Sequence, residues 1–194
     1  LMLYLIGLIG ADGATYKALE FCGETISNME MSERFTLANM AVEAGAKVGL
    51  FETDEQTKKY LEEHGRVDKF KELKMDEDAE YERVIELDAS KIEPMVACPH
   101  TVDNTKKASE LSDIKVNQVF VGTCTNGRIE DLRVVAEVLK GNKVNPSTRL
   151  IIVPASRDIY LKAVKEGLLE IFLEAGANFL PAGCGPCVGV HGGI

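Results

Sequence analysis

Positive charge is scarce in this chain. Its 194 residues carry 22 Lys and Arg against 31 Asp and Glu, a formal net charge of −9. Nucleic acids and anionic membrane surfaces reward clustered Lys and Arg, so this balance argues against both as partners. It does not exclude a small anionic substrate, because a local Arg or a metal outweighs the global field at short range. Long apolar runs are also missing. The opening Leu1-Met2-Leu3-Tyr4-Leu5-Ile6-Gly7-Leu8-Ile9-Gly10 is apolar but too short to span a bilayer, and no charged flank marks it as a secretory leader. Histidine occurs three times, at positions 64, 100 and 191, and neither His64 nor His100 has an evident partner in sequence. Cysteine occurs five times, an odd number. Without a secretory signal, that count fits a reducing compartment, and the expected location is cytoplasmic.

The remaining pattern is α/β. The composition, 45% hydrophobic and 27% charged, is ordinary for a globular protein. The expected organisation is a first α/β subdomain over residues 1–95, a crossover linker over 96–111 and a second α/β subdomain over 112–194. In the first, residues 14–22 read as helical, between Asp12-Gly13 and Gly23. Ser32 is a candidate N-cap for a helix over 33–44 that Gly45 ends. Residues 47–52 read as a strand, and Thr53-Asp54-Glu55-Gln56 reads as a capping box for a helix to about His64. Charge dominates residues 65–82, which read as a mobile connector. Residues 83–88 are a strand candidate, and residues 92–101, with two prolines, are expected to cross between subdomains.

The second half is more regular. Residues 116–122 form an apolar, β-branched run, the mark of a buried strand. Ile129, Leu132, Val135 and Leu139 recur at helical spacing, and Gly141 stops that helix. Residues 149–153 are a second strand. Ser156 opens a helix to about Glu166, a further helix covers 168–174, and residues 176–180 are a third strand. Strand, helix, strand, helix, strand implies parallel sheets with crossover helices. Both ends of the chain look cut. The first residues begin mid-element, and the last stop seven positions after Cys187, so the expectation is an internal piece of a longer protein.

The chemistry lies in the cysteines. Cys124 is followed, after 59 intervening residues, by Cys184 and Cys187 in a C-x₂-C. Three thiols among glycines suit an iron–sulfur cluster on three cysteines, which leaves one iron open as a Lewis acid. The alternatives are a zinc site completed by His191 and a redox thiol pair. All three cysteines follow strand candidates, and parallel sheets collect ligands at their carboxyl edge. The helix after Cys124 would lower that thiol's pKa through its dipole. Gly122, Gly127, Gly183 and Gly185 leave space for a bulky cube, and Pro186 stiffens the C-x₂-C turn. Asn39 and Glu43 stand four apart on an otherwise apolar helix, either as a polar site or as a solvated edge. Arg128 is either a counter-charge for a cluster or substrate carboxylate or an ordinary surface residue.

With these residues in view, the chain resembles the aconitase family. Val-Gly-Thr-Cys-Thr-Asn-Gly-Arg-Ile-Glu-Asp-Leu around Cys124 is similar to the family's first cluster motif, and Pro-Ala-Gly-Cys-Gly-Pro-Cys-Val-Gly is similar to the second. Asp-Gly-Ala-Thr-Tyr-Lys-Ala-Leu-Glu-Phe, Arg-Phe-Thr-Leu-Ala-Asn-Met-Ala-Val-Glu-Ala-Gly-Ala-Lys and Ala-Cys-Pro-His resemble the branch that divides the enzyme into large and small subunits. The resemblance implies aconitase-like three-layer α/β/α subdomains and a [4Fe–4S] cluster on Cys124, Cys184 and Cys187. It implies dehydration and rehydration of a hydroxy di- or tricarboxylate, and it makes Asn39 and Glu43 the polar pair beside the cluster. It also implies a small subunit carrying the swivelling domain, with the catalytic serine and carboxylate-binding arginines. The family's upstream histidine-rich and downstream Asn-Arg-rich segments are absent, so the piece alone is expected to be inactive. Two rivals are an iron-sensing, RNA-binding relative, which the net charge disfavours, and an electron-transfer protein, which would more often use four cysteines.

Overall fold

The computed structural model describes residues 1–185 and 187–190. The chain divides into two compact units, Leu1–Asp113 and a second that begins at Ile114.

The first unit opens with helix α1, Met2–Ile9, which buries Met2, Leu5 and Ile6. These pack with Ala14, Ile26, Leu37, Ala41, Ala44 and Ala46 into one apolar core. Strand β1, Ala18–Phe21, pairs in parallel with β2, Val48–Phe51, in the register Ala18 opposite Val48. Between them lie α2, Glu24–Asn28, and α3, Met31–Met40. Residues 14–22, expected as a helix, are therefore a turn followed by β1. Ala, Lys, Leu and Glu are good helix formers, but the ladder to β2 overrides that weak preference. The N-terminal cap of α3 is Glu30 rather than Ser32, and the Glu33 carboxylate accepts the Glu30 N–H at 2.9 Å. The expected helix to Ala44 is interrupted. After Met40 the chain tightens into a 3₁₀ turn, Ala41–Ala44, closed by Gly45 at φ 82°.

Helix α4, Glu55–Glu63, follows β2, and Asp54 caps it by accepting the Thr57 N–H at 3.1 Å. Residues 65–82 hold one 3₁₀ turn, Val67–Lys69, and their middle is tied back to residues 52–53. Leu73 N–H donates to Thr53 Oγ1 at 2.7 Å, and Met75 N–H donates to Glu52 at 2.9 Å. Residues 83–88 form no strand, although Ile85 and Leu87 pack on the core. Residues 96–111, expected as a crossover linker, fold inside the first unit. There β3, Met95–Ala97, and β4, Thr105–Lys107, make an antiparallel pair.

The second unit follows its sequence pattern closely. Strands β5, Gln118–Gly122, β6, Arg149–Val153, and β7, Asn178–Phe179, form an all-parallel sheet in the order β5-β6-β7. Beyond the one-turn α5, Thr123–Asn126, the crossovers are α6, Ile129–Leu139, then α7, Arg157–Lys165, and α8, Leu168–Ala175. Phe172 is fully buried, with Leu132, Ile152 and Ala163 around it. Burying each of the larger of these apolar side chains contributes about 1.5–3 kcal/mol. Ser156 caps α7 by accepting the Ile159 N–H at 3.2 Å, as its sequence position predicts. Arg133 on α6 donates two 2.8 Å hydrogen bonds to Glu166 at the end of α7. No helix among the described residues is long and apolar enough to cross a membrane.

Candidate functional site

The sheet of the second unit places the cysteines. Its three strands are parallel, so the chain leaves β5, β6 and β7 at one edge. Cys124 follows β5, Pro154-Ala155 follows β6, and Cys184 and Cys187 follow β7. All five cysteines are free thiols, and Cys124, Cys184 and Cys187 are exposed. Cys22 and Cys98 belong to the first unit. Among the described residues no three His, Cys, Asp or Glu side chains are grouped as a metal site. The segments that carry the three thiols thus leave the same edge of the sheet, but the thiols do not form a ready-made ligand set. Their chemistry fits a cluster, since each is unbridged and solvent-accessible, in a segment that follows a strand of the parallel sheet.

The Cys124 loop is shaped by main chain. Gly122 has φ 132°, and a β-carbon there would stand 1.9 Å from the Val153 carbonyl oxygen. A β-carbon at Gly127 would stand 2.6 Å from the same oxygen and 2.7 Å from Ala155 N. Ala155 N–H donates to Gly127 O at 2.8 Å, and Gly127 N–H donates to Thr123 O at 2.9 Å. These two glycines therefore serve the approach of the loop to the end of β6, not to a cube as the sequence reading expects. A β-carbon at Gly183 would meet nothing within 4 Å among the described residues. Pro186 and His191 lie outside the described residues.

Cys124 sits inside the one-turn α5, and the longer α6 begins only at Ile129. The expected placement of this thiol at the N-terminus of the long helix is thus corrected. That terminus is closed by its own residues, with Asp131 accepting the Arg128 N–H at 3.0 Å. Burial holds the Asp131 carboxyl above its ordinary value, against the pull of that hydrogen bond and with the nearby Glu130 charge reinforcing the rise. Arg128 is half-buried at the cap, not a freely solvated surface residue. On the C-x₂-C side, Val188 N–H donates to Cys184 O at 3.1 Å and Val190 N–H to Gly185 O at 2.9 Å.

Asn39 and Glu43 are both exposed in the first unit. Asn39 lies in the last turn of α3, one residue before its end at Met40, whereas Glu43 lies in the 3₁₀ turn. The i, i+4 alignment assumed for one continuous helix is loosened, because a 3₁₀ turn advances about 120° per residue instead of 100°.

Sequence reasoning missed Arg34. Its side chain is 3% exposed on α3, and its two terminal nitrogens donate to Asp54 at 2.9 and 2.6 Å. One of them also donates to Ser27 O at 3.2 Å. Burial acts to raise the Asp54 pKa, but the hydrogen bonds from Arg34 and Thr57 and the Arg34 charge leave it below the usual carboxylate value. The legible signal was a lone Arg in an apolar helix, with a helix-capping Asp 20 residues later.

The first unit also holds a cavity of about 510 Å³, lined by Leu5, Leu19, Phe21 and Ile85 together with Cys22 and Tyr81. A hydrogen bond to Glu20 is the main cause pushing the Tyr81 phenol up to about 12.

Similarity to known proteins extends over both units. The family model described as Aconitase family (aconitate hydratase) matches residues 1–110 and 100–194, and this chain belongs to the aconitase family. Within it, the chain is 71% identical over all 194 residues to a protein of Elusimicrobium minutum named 3-isopropylmalate dehydratase large subunit. It is 58% identical to the 3-isopropylmalate dehydratase large subunit 2 of Archaeoglobus fulgidus and 54% identical to the large subunit of Clostridium kluyveri. In each case the whole chain aligns but covers only 46% of the relative, so it spans about half the length of these proteins.

Proposed function

We propose that this chain is part of the large subunit of a 3-isopropylmalate dehydratase. That enzyme interconverts 2-isopropylmalate and 3-isopropylmalate by loss and re-addition of water in leucine biosynthesis. The observation that carries the reading is 71% identity, without a gap in coverage of this chain, to a protein of that name. Cys124, Cys184 and Cys187 would hold a [4Fe–4S] cluster, whose open iron supplies a Lewis acid for the departing hydroxyl. Residues of this chain would act beside it. Glu43 moves a proton at the substrate, and Asn39 offers a hydrogen bond beside it. Arg128, half-buried next to the Cys124 loop, offers a fixed positive charge for a carboxylate. A small subunit with the swivelling domain completes the site, and the assembly works in the cytoplasm.

The test uses the complete large subunit reconstituted anaerobically with iron and sulfide, then combined with candidate small subunits. Turnover of 3-isopropylmalate is expected. Turnover of homocitrate instead would transfer the chain to homoaconitase. Replacing any one of Cys124, Cys184 or Cys187 with Ser is expected to remove most bound iron and sulfide. Full retention after all three single replacements would end the cluster assignment. In the same assembly, Glu43→Gln is expected to lower turnover by about 10²-fold while cluster absorbance is kept, because the substitution nearly preserves volume. Unchanged turnover would return Glu43 to the solvated edge of its helix.

A further inference from the structure

We infer that Thr123 is a positioning residue that holds the Cys124 loop in one conformation through its hydroxyl; the consequence for metal binding rests on the role proposed above for Cys124. Thr123 has φ 92°, a region where a β-branched residue is a genuine outlier. Such a backbone state is strained and persists only where the surroundings compensate that cost. Glycine would sit there without that cost, and glycine already stands next to it at position 122. What threonine adds is an acceptor. Its Oγ1 receives the N–H of Thr125 at 3.1 Å and the N–H of Asn126 at 3.2 Å. Its carbonyl receives the Gly127 N–H at 2.9 Å. The backbone amides on the far side of Cys124 are thus gathered onto one residue before it. The one turn of α5 is too short to be stable by itself, since helix nucleation is unfavourable and four residues return little for it. Thr123 replaces that missing cooperativity with a side-chain clasp. Gly122 and Gly127 seat the two ends of the loop on β6, and Thr123 fixes the arc between them, where the thiol is.

Three variants separate hydroxyl from shape. Thr123→Val keeps the branched volume and loses the acceptor, Thr123→Ser keeps the acceptor, and Thr123→Gly removes both the strain and the acceptor. Amide hydrogen exchange at Thr125 and Asn126 in the metal-free chain is the primary readout. Exchange in Thr123→Val is expected to be at least about 10-fold faster than in the parent, matching the loss of about 1.4 kcal/mol of local protection. Thr123→Ser should stay within about 3-fold of the parent. Thr123→Gly should exchange fast although its global stability is unchanged or higher, which keeps the test valid if the valine variant folds poorly. Alkylation of Cys124 by iodoacetamide should change in Val and Gly but not in Ser, with Cys184 and Cys187 unaffected as internal references. Parent-like exchange and alkylation in both Val and Gly would overturn the inference. None of these readouts needs a cluster, so a failure to bind iron in the parent would count against the proposed function and leave this result standing.

Discussion

Asp54→Ala is expected to destabilise the chain by about 3–4 kcal/mol. Removing one partner of a buried ion pair typically costs about 3–5 kcal/mol, and the lower part of that range applies because Asp54 is 36% exposed and partly screened. The loss arises from stranding Arg34, whose guanidinium is buried on α3 and has Nε without a partner already. The N-cap of α4 goes with it, worth about 1 kcal/mol. Asp54→Asn keeps the cap acceptor but not the charge and should cost less. Arg34→Met combined with Asp54→Asn should recover part of the loss, because it removes the buried charge instead of isolating it. Urea denaturation measures all three; an Asp54→Ala loss below about 1 kcal/mol would mean the pair is effectively solvated. The pH dependence has a definite sign. The folded-state pKa of Asp54 lies below its ordinary 3.8, so its contribution is fully present above that value. It is lost as pH falls through the folded value, and the parent and Asp54→Ala should converge there.

Gly122→Ala is expected to cost about 3–5 kcal/mol or to expel the Cys124 loop from its seat. Two penalties combine. The added carbon would stand 1.9 Å from Val153 O, a main-chain atom of a central strand that cannot swing aside. Alanine at φ 132° adds backbone strain of roughly 1–3 kcal/mol, and overpacking of this kind costs about 1–3 kcal/mol or more. Thermal unfolding should show a fall in Tm with the secondary-structure signal retained below it. Gly183→Ala is the matched control, since a β-carbon there would meet nothing within 4 Å among the described residues. Equal effects at the two positions would show that the contact with Val153 is not what selects glycine at 122.

The difference between the two units shows what the sequence could and could not reveal. In the second unit, local preference and final structure agree. Ile129, Leu132 and Ala136 mark the buried face of α6, the run at 149–153 is the buried β6, and Ser156 caps α7. In the first unit the decisive contacts are long-range. Residues 18–21 have helical composition and become a strand only because Val48–Phe51 lies alongside. Residues 83–88 have strand-like apolar spacing and no strand partner, so they pack Ile85 and Leu87 on the core as irregular chain. The spacing of the three cysteines and the glycines around them are legible in the sequence itself. The reason for two of those glycines is not, since it depends on Val153, 31 residues beyond Gly122. The same applies to Arg34, which is buried although the acid Glu43 nine residues later is exposed, a difference set by the Asp54 partner 20 residues away.

The seat of the Cys124 loop is made of peptide groups: the carbonyl of Val153, the amide of Ala155 and the two glycines that meet them. Its shape is therefore indifferent to which apolar side chain fills position 153. Repacking the interior around β6 thus need not move the thiol. Sliding β6 by one residue would, because that would bring a different carbonyl under the loop. The position of the Cys124 loop is indexed to strand register, and the core of the unit can drift while the loop stays in place.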